Sequence, residues 1–148
     1  MNRRPFWQQC LLYLWVSPIT LICLPIAWWA KATGGGYAMH GTVLEVWGGK
    51  VGQQLERGIP LLGAVNAVTL GHLVAGVTLD HLDASRVHER THVEQFERWG
   101  FFFPLVYLLR GLYAHWCGGH FYWDNPYEIE ARQRAAQARQ HSLTNQRE

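Results

Sequence analysis

Charged side chains are scarce in this sequence. Only 16% of its 148 residues are Asp, Glu, Lys or Arg, against about 25% in an ordinary soluble chain. The formal net charge is +2 and no run of Lys or Arg interleaves with aromatics, which argues against nucleic acid as a partner. Cysteine is almost as rare. Cys10, Cys23 and Cys117 are odd in number, lack metal-ligand spacing, and two of them lie in an apolar run. They read as small hydrophobes, not as a disulfide framework. Serine is limited to Ser17, Ser85 and Ser142 with no G-x-S-x-G elbow, which disfavours a serine hydrolase. The triplet Gly34, Gly35, Gly36 opens no helix with Lys-Ser/Thr, so there is no phosphate loop. There is no internal repeat, and the length suits a single domain.

What the chain has in excess is apolar and aromatic surface: 49% hydrophobic residues, with eight Trp, six Tyr and six Phe. Indole and phenol rings collect where one end of a side chain is dry and the other wet, as at a bilayer surface. From Cys10 to Ala30 no residue is charged, a run as long as the roughly 20 residues a helix needs to cross the hydrocarbon core. Arg3 and Arg4 precede it, and Trp28, Trp29 and Lys31 follow. Residues 1–33 are therefore expected to form an N-terminal membrane anchor. Pro18 and Pro25 each remove a backbone donor, so the anchor is either a kinked helix or a re-entrant hairpin. Ala30-Lys31-Ala32 also resembles a small-residue cleavage site, which keeps a signal peptide open. Arg3 and Arg4 favour a cytoplasmic N-terminus, but Lys31, Lys50 and Arg57 beyond the run leave the side undecided.

After the glycine triplet the patterning changes to that of an α+β domain, expected over residues 34–135 with a polar tail at 136–148. Tyr37 to Trp47 reads as a strand and Gly48-Gly49-Lys50 as a turn. Val51 to Arg57 is a short helix or a loop. Ala64 to Val77 is a strand or strand pair interrupted at Gly71 and Gly76. Asp83 or Ser85 can cap a helix that runs to Trp99 and stops at Gly100. Phe101 to Cys117 is a second apolar stretch, but Arg110 and His115 lie inside it. It suits a helix packed on the domain or lying in the interface, not a second span. Gly118-Gly119 begins a loop to Asp124-Asn125-Pro126, and a polar helix starts at Tyr127.

The stretch with chemical content is RVHERTHVEQFERWG, residues 86–100. His88 and His92 are four apart, so on a helix both imidazoles can aim at one point. Glu89 projects beside that point, where it can take a proton from an attacking water and pass it to a leaving group. Val87, Phe96 and Trp99 are expected on the buried side, and Arg90, Glu94, Glu97 and Arg98 on the wet one. The plainer alternative is a solvated helix with two surface histidines. A catalytic zinc needs a third protein ligand and an open fourth position. Glu128 and Glu130 are available, but two residues apart they cannot both face one ion from a regular helix. Either could instead simply favour a helix N-terminus. His40, His72 and the pair His115 and His120 are weaker candidates, since nothing completes a ligand set around them.

Together these stretches carry a resemblance. LWVSPITLICL, AVTLGHLVAGV, HERTHVEQFERWG and DNPYEIEAR, spread from Leu14 to Arg132, resemble a family of small bacterial membrane proteins with an H-E-x-x-H motif. More distantly, A-x-T-x-G ahead of H-E-x-T-H-x-x-Q is similar to minimal gluzincin-type zinc metallopeptidases. The resemblance implies a short sheet packed on the H-E-x-x-H helix, closed by a C-terminal glutamate-bearing helix. It implies zinc as cofactor on His88, His92 and Glu128, the last in an E-x-x-A pattern with Ala131, and Glu89 as catalytic base. It further implies a place in the bacterial inner membrane and, for an active site, a peptide substrate. One departure stands out: Arg132 occupies the position where many gluzincins carry an Asp that supports a ligand histidine. The competing function is a non-catalytic accessory subunit of a membrane protein complex that keeps the same fold.

Overall fold

The computed structural model describes residues 5–60 and 62–145, so Arg3 and Arg4 of the expected anchor lie outside it. The anchor region is one unbroken helix, α1 (Phe6–Ala32), with Pro18 and Pro25 inside it, and not a hairpin. Pro18 deprives the Leu14 carbonyl of its usual i+4 donor. The Ser17 hydroxyl supplies a substitute, donating to that carbonyl at 2.8 Å. Among the described residues α1 alone is long and apolar enough to cross a membrane, a property that signal sequences and core helices share.

Behind α1 stands a four-stranded sheet of β1 (Gly36–His40), β2 (Val43–Trp47), β3 (Ala67–Leu70) and β4 (Leu73–Gly76), in the order β1-β2-β4-β3. The β2/β4 pair is parallel and the two outer pairs antiparallel. The single strand expected over Tyr37 to Trp47 is thus a hairpin. Gly41 turns it with φ +67°, a conformation glycine reaches without steric cost. Helix α2 (Gly49–Arg57) follows β2 and fills the crossover toward β4.

Strand alternation divides the sheet into two faces. Val46, Leu73 and Ala75 point to α1 and α2, where they pack with Ala27, Ala30, Val51 and Leu55. Val43 and Val74 point the other way, to Leu82 and Val93 of α3 (Leu79–Trp99). Glu45, on that second face, is held by Arg86 of α3 through two bonds of 2.9 Å.

Helix α3 starts earlier than its sequence suggests. Thr78 is the N-cap, accepting the His81 N–H at 3.2 Å, while Asp83 and Ser85 lie inside the helix. Its C-terminus is at Gly100 as expected, with φ +62°. A 3₁₀ turn (Gly100–Phe102) leads into α4 (Phe103–Trp116), and α5 (Pro126–Asn145) runs through the position expected for the start of a loose tail. Val16, Phe96, Phe103 and Tyr127 form the cluster that joins α1, α3, α4 and α5. The result is an α+β fold with an N-terminal apolar helix, a small sheet and C-terminal helices.

Candidate metal centre

His88 and His92 sit one turn apart on α3 with their Nε2 atoms 3.1 Å from each other. Glu128 enters from the first turn of α5. Its Oε2 lies 3.3 Å from His88 Nε2 and its Oε1 3.2 Å from His92 Nε2. The three residues form the one cluster among the described residues in which His, Cys, Asp or Glu could hold a metal ion. Two ligand atoms of a tetrahedral ion at about 2.0–2.1 Å would be about 3.3 Å apart, so the spacing fits. The donor set of two imidazoles and one carboxylate is also of the right kind. Glu128 Oε2 is buried and accepts no hydrogen bond, a cost a folded protein rarely carries without a partner for the atom.

Position on α5 decides between the two glutamates. Asn125, fully buried, accepts the Tyr127 N–H on its side-chain oxygen and donates from its amide to the Tyr107 carbonyl, fixing the start of α5 against α4. Pro126 opens the helix, where its missing N–H does no harm. From that start Glu128 turns inward. Glu130, two residues on, accepts from Gln95 and Arg134 instead.

The surrounding groups hold the three residues in place. Gln95 Oε1 contacts His92 Nδ1 at 2.8 Å. The Gln95 amide nitrogen donates to the Tyr127 carbonyl at 3.1 Å and to Glu130 Oε2 at 2.9 Å. With both acceptors on one side, the amide oxygen is left to face His92, whose Nδ1 is then the donor and whose Nε2 carries the lone pair in the neutral ring. This is the support expected from an Asp at position 132. Arg132 itself stacks its guanidinium near Tyr122 and Trp123 and stands 3.9 Å from Glu128 Oε2. The Tyr107 hydroxyl donates to Glu128 Oε1 at 2.9 Å.

Glu89 is buried and lines the same cavity as His88, His92 and Glu128. The Thr69 hydroxyl, on β3, contacts its Oε2 at 2.7 Å. The cavity measures about 340 Å³ and is walled mainly by apolar side chains, among them Val68, Leu70, Phe103, Leu108 and Phe121.

Electrostatics couple these groups. Burial alone would raise the Glu128 carboxyl, but the His88 and His92 imidazoles set against it overcome this when charged and hold the group well below the usual carboxylate range. For His92 burial acts to lower the value, and Glu128, aided by Glu89 and Gln95, raises it overall. Burial, then the Glu128 charge, pushes the Tyr107 and Tyr122 hydroxyls up, so both remain protonated donors.

Other expectations for α3 are corrected. Val87 and Trp99 are exposed, and the buried positions include Glu89, Thr91, His92 and Gln95 along with Phe96. His72 lies elsewhere, its backbone N–H on Thr20 and its ring 3.4 Å from Glu97. The His40 carbonyl accepts from Arg90, and His120 Nδ1 accepts the backbone N–H groups of Tyr122 and Trp123. Thr69, Gln95, Tyr107 and Asn125 join the site without having been expected there. Thr69 and Gln95 do fall in quoted patterns, the A-x-T-x-G stretch and the H-x-x-Q continuation of the motif, and Asn125 in DNPYEIEAR, while Tyr107 carries no such signal. No family model matches the chain, and no curated protein or solved structure is similar to it.

Proposed function

We propose that this chain is a membrane-associated, zinc-dependent hydrolase of the metallopeptidase kind. The observation that carries the reading is the convergence of His88, His92 and a buried Glu128 oxygen lacking a hydrogen bond, beside Glu89 in one cavity. Zinc on these three residues would supply Lewis acidity, polarising a substrate carbonyl and making water acidic enough to lose a proton near neutral pH. Glu89 is the base. Thr69 occupies its Oε2, which leaves Oε1 to take the proton and hand it to the departing amine as the C–N bond breaks. Gln95 keeps the His92 proton on Nδ1, and Tyr107 steadies Oε1 of Glu128. The apolar walls exclude competing water and suit a substrate with an apolar side chain near the scissile bond.

A second reading, an accessory subunit that retains the fold without turnover, draws support from Arg132. Its cation lies close enough to Glu128 to compete with a metal for the carboxylate. Metal content and peptide hydrolysis of the wild type, Glu89→Gln and His92→Ala separate the two. The enzyme reading expects one equivalent of zinc in the wild type and Glu89→Gln, and none in His92→Ala. It expects turnover in the wild type alone, since losing general-base help removes a factor of about 10² to 10⁴. Metal without turnover on a broad peptide library favours the accessory subunit, and a wild type that takes up no metal overturns both the zinc and the hydrolase.

A further inference from the structure

We propose that the chain seats on an anionic bilayer in the plane of its surface, through the outer faces of α1 and α4, and does not cross it. The inference rests on the membrane association in the reading above, and not on the metal or the chemistry.

Packing opposes a span. A span needs about 20 residues of helix facing only lipid or other membrane-embedded surface. The inner side of α1 instead lies along the domain for most of its length. Val16 packs on Phe96 and Phe103, and the Thr20 hydroxyl accepts the His72 N–H. Ala27 and Ala30 enter the core under the sheet, and the Thr33 hydroxyl just past the helix accepts the Lys50 N–H at 2.9 Å. Setting α1 upright in a bilayer would carry the sheet, α2 and the half-buried His72–Glu97 contact into hydrocarbon, where irregular backbone and ionisable groups are costly.

The outer surface favours seating in the plane. On α1, Trp7, Leu11, Leu14, Leu21 and Trp28 recur at spacings of three, four and seven, and all are exposed, Leu14 by 71% and Trp28 by 74%. That is one apolar stripe along the helix. On α4, Leu105, Leu109, Leu112 and Trp116 form a second exposed stripe, Trp116 by 88%. Between the two helices lies further exposed aromatic surface, where the Trp15 ring is 6.0 Å from Phe101 and 6.5 Å from Phe102 of the 3₁₀ turn. Exposed apolar surface of this extent marks an interaction face.

Charge complementarity selects the occupant. The segments Phe6–Ala32 and Gly100–Trp116 contain no Asp or Glu, and their only permanent charges are Lys31 and Arg110. Tryptophan at the margins with cations and no carboxylates is the composition of a helix lying in an anionic headgroup layer. The arrangement also bears on the candidate site. Phe103, Tyr107 and Leu108 of α4 line the cavity beside His92 and Glu128, so one helix separates the cavity from the proposed lipid face.

Depth measurement tests this on the full chain. Single cysteines replace Leu14, Leu21, Trp28 or Leu109 in a background of Cys10→Ser, Cys23→Ala and Cys117→Ser, and each carries a small fluorophore. The vesicles contain phosphatidylethanolamine and phosphatidylglycerol with lipids brominated at graded depths. In-plane seating expects all four sites at one shallow depth, about 5–10 Å into the headgroup boundary. A span places the Leu21 site deeper than those of Leu14 and Trp28 by about 10 Å, at 1.5 Å per residue, and that profile overturns the proposal while leaving membrane association intact. Absence of quenching at every site overturns both, and shows that the face is covered by protein or open to water. Equal binding to pure phosphatidylcholine vesicles overturns the anionic requirement. Indole fluorescence of the unmodified wild type, expected to be quenched more by shallow than by deep bromines, tests the same seating without any substitution.

Discussion

Replacing Gln95 by Leu keeps the side chain's approximate volume and removes its three polar contacts, to His92 Nδ1, the Tyr127 carbonyl and Glu130 Oε2. These losses are unequal. Glu130 retains Arg134 and is partly exposed, so it turns to water at little cost. The Tyr127 carbonyl lies in the first turn of α5, where helical bonding can serve it. The His92 Nδ1–H is buried and loses its partner, a deficit of about 1–3 kcal/mol. With about 0.5–1 kcal/mol for the remaining contacts and some return from the more apolar side chain, the net destabilisation is about 2–3 kcal/mol. For a chain of this size that lowers Tm by about 5–10 °C. Freed from Gln95, the His92 ring can turn or place its proton on Nε2, and metal affinity should fall about 10- to 100-fold. Gln95→Glu separates the two effects. It keeps an acceptor for the Nδ1–H but sets a second carboxylate against Glu130, so it should lose stability while holding metal affinity within a few-fold. Thermal unfolding without metal and competition with a chromophoric chelator measure the two quantities. If the Leu variant binds zinc as tightly as the wild type, Gln95 does not set the His92 tautomer.

Two further outcomes follow from single contacts. Thr69→Val, near-isosteric, removes the hydroxyl that orients Oε2 of Glu89 and should lower peptide turnover by about 10-fold or more with metal content unchanged; an unaltered kcat would show that Glu89 is positioned by something else. Gly100→Ala puts a Cβ 2.3 Å from the Trp15 indole at a residue with φ +62°, so it should cost at least about 2 kcal/mol in strain and displacement. Because that contact ties α1 to the start of α4, a change in Tm of under about 2 °C would mean that Trp15 does not pack there.

How much of this is legible in the sequence depends on the reach of each signal. The His88/Glu89/His92 cluster needs only helical spacing, and it is present. Glu128 is readable as one of two choices, because selecting it requires the register of α5, which Asn125 fixes through the Tyr107 carbonyl, 18 residues earlier in the chain. Thr69 and Tyr107 act across the fold: the A-x-T-x-G pattern marks Thr69 without giving its role, and no local pattern marks Tyr107. The assignment of the buried side of α3 fails for a physical reason. Amphipathic reasoning assumes that apolar residues mark the inside, but this helix turns a polar site inward, so Glu89, Thr91 and Gln95 are buried while Val87 and Trp99 face out.

The same limit applies to α1. Apolarity around its whole circumference says that the helix avoids water; it does not say what replaces water on each side. Residue size does. The side toward the domain carries the small or short Val16, Thr20, Cys23, Ala27 and Ala30, flanked by Ile19 and Ile26. The opposite side carries Trp7, Leu11, Leu14, Ile22 and Trp28, too bulky for that approach and well suited to lipid. A helix bare of the domain on all sides has no reason to separate small from large in this way. The division along α1 is therefore a sequence record of protein on one flank, and it is what the proposed lipid seating expects of the other.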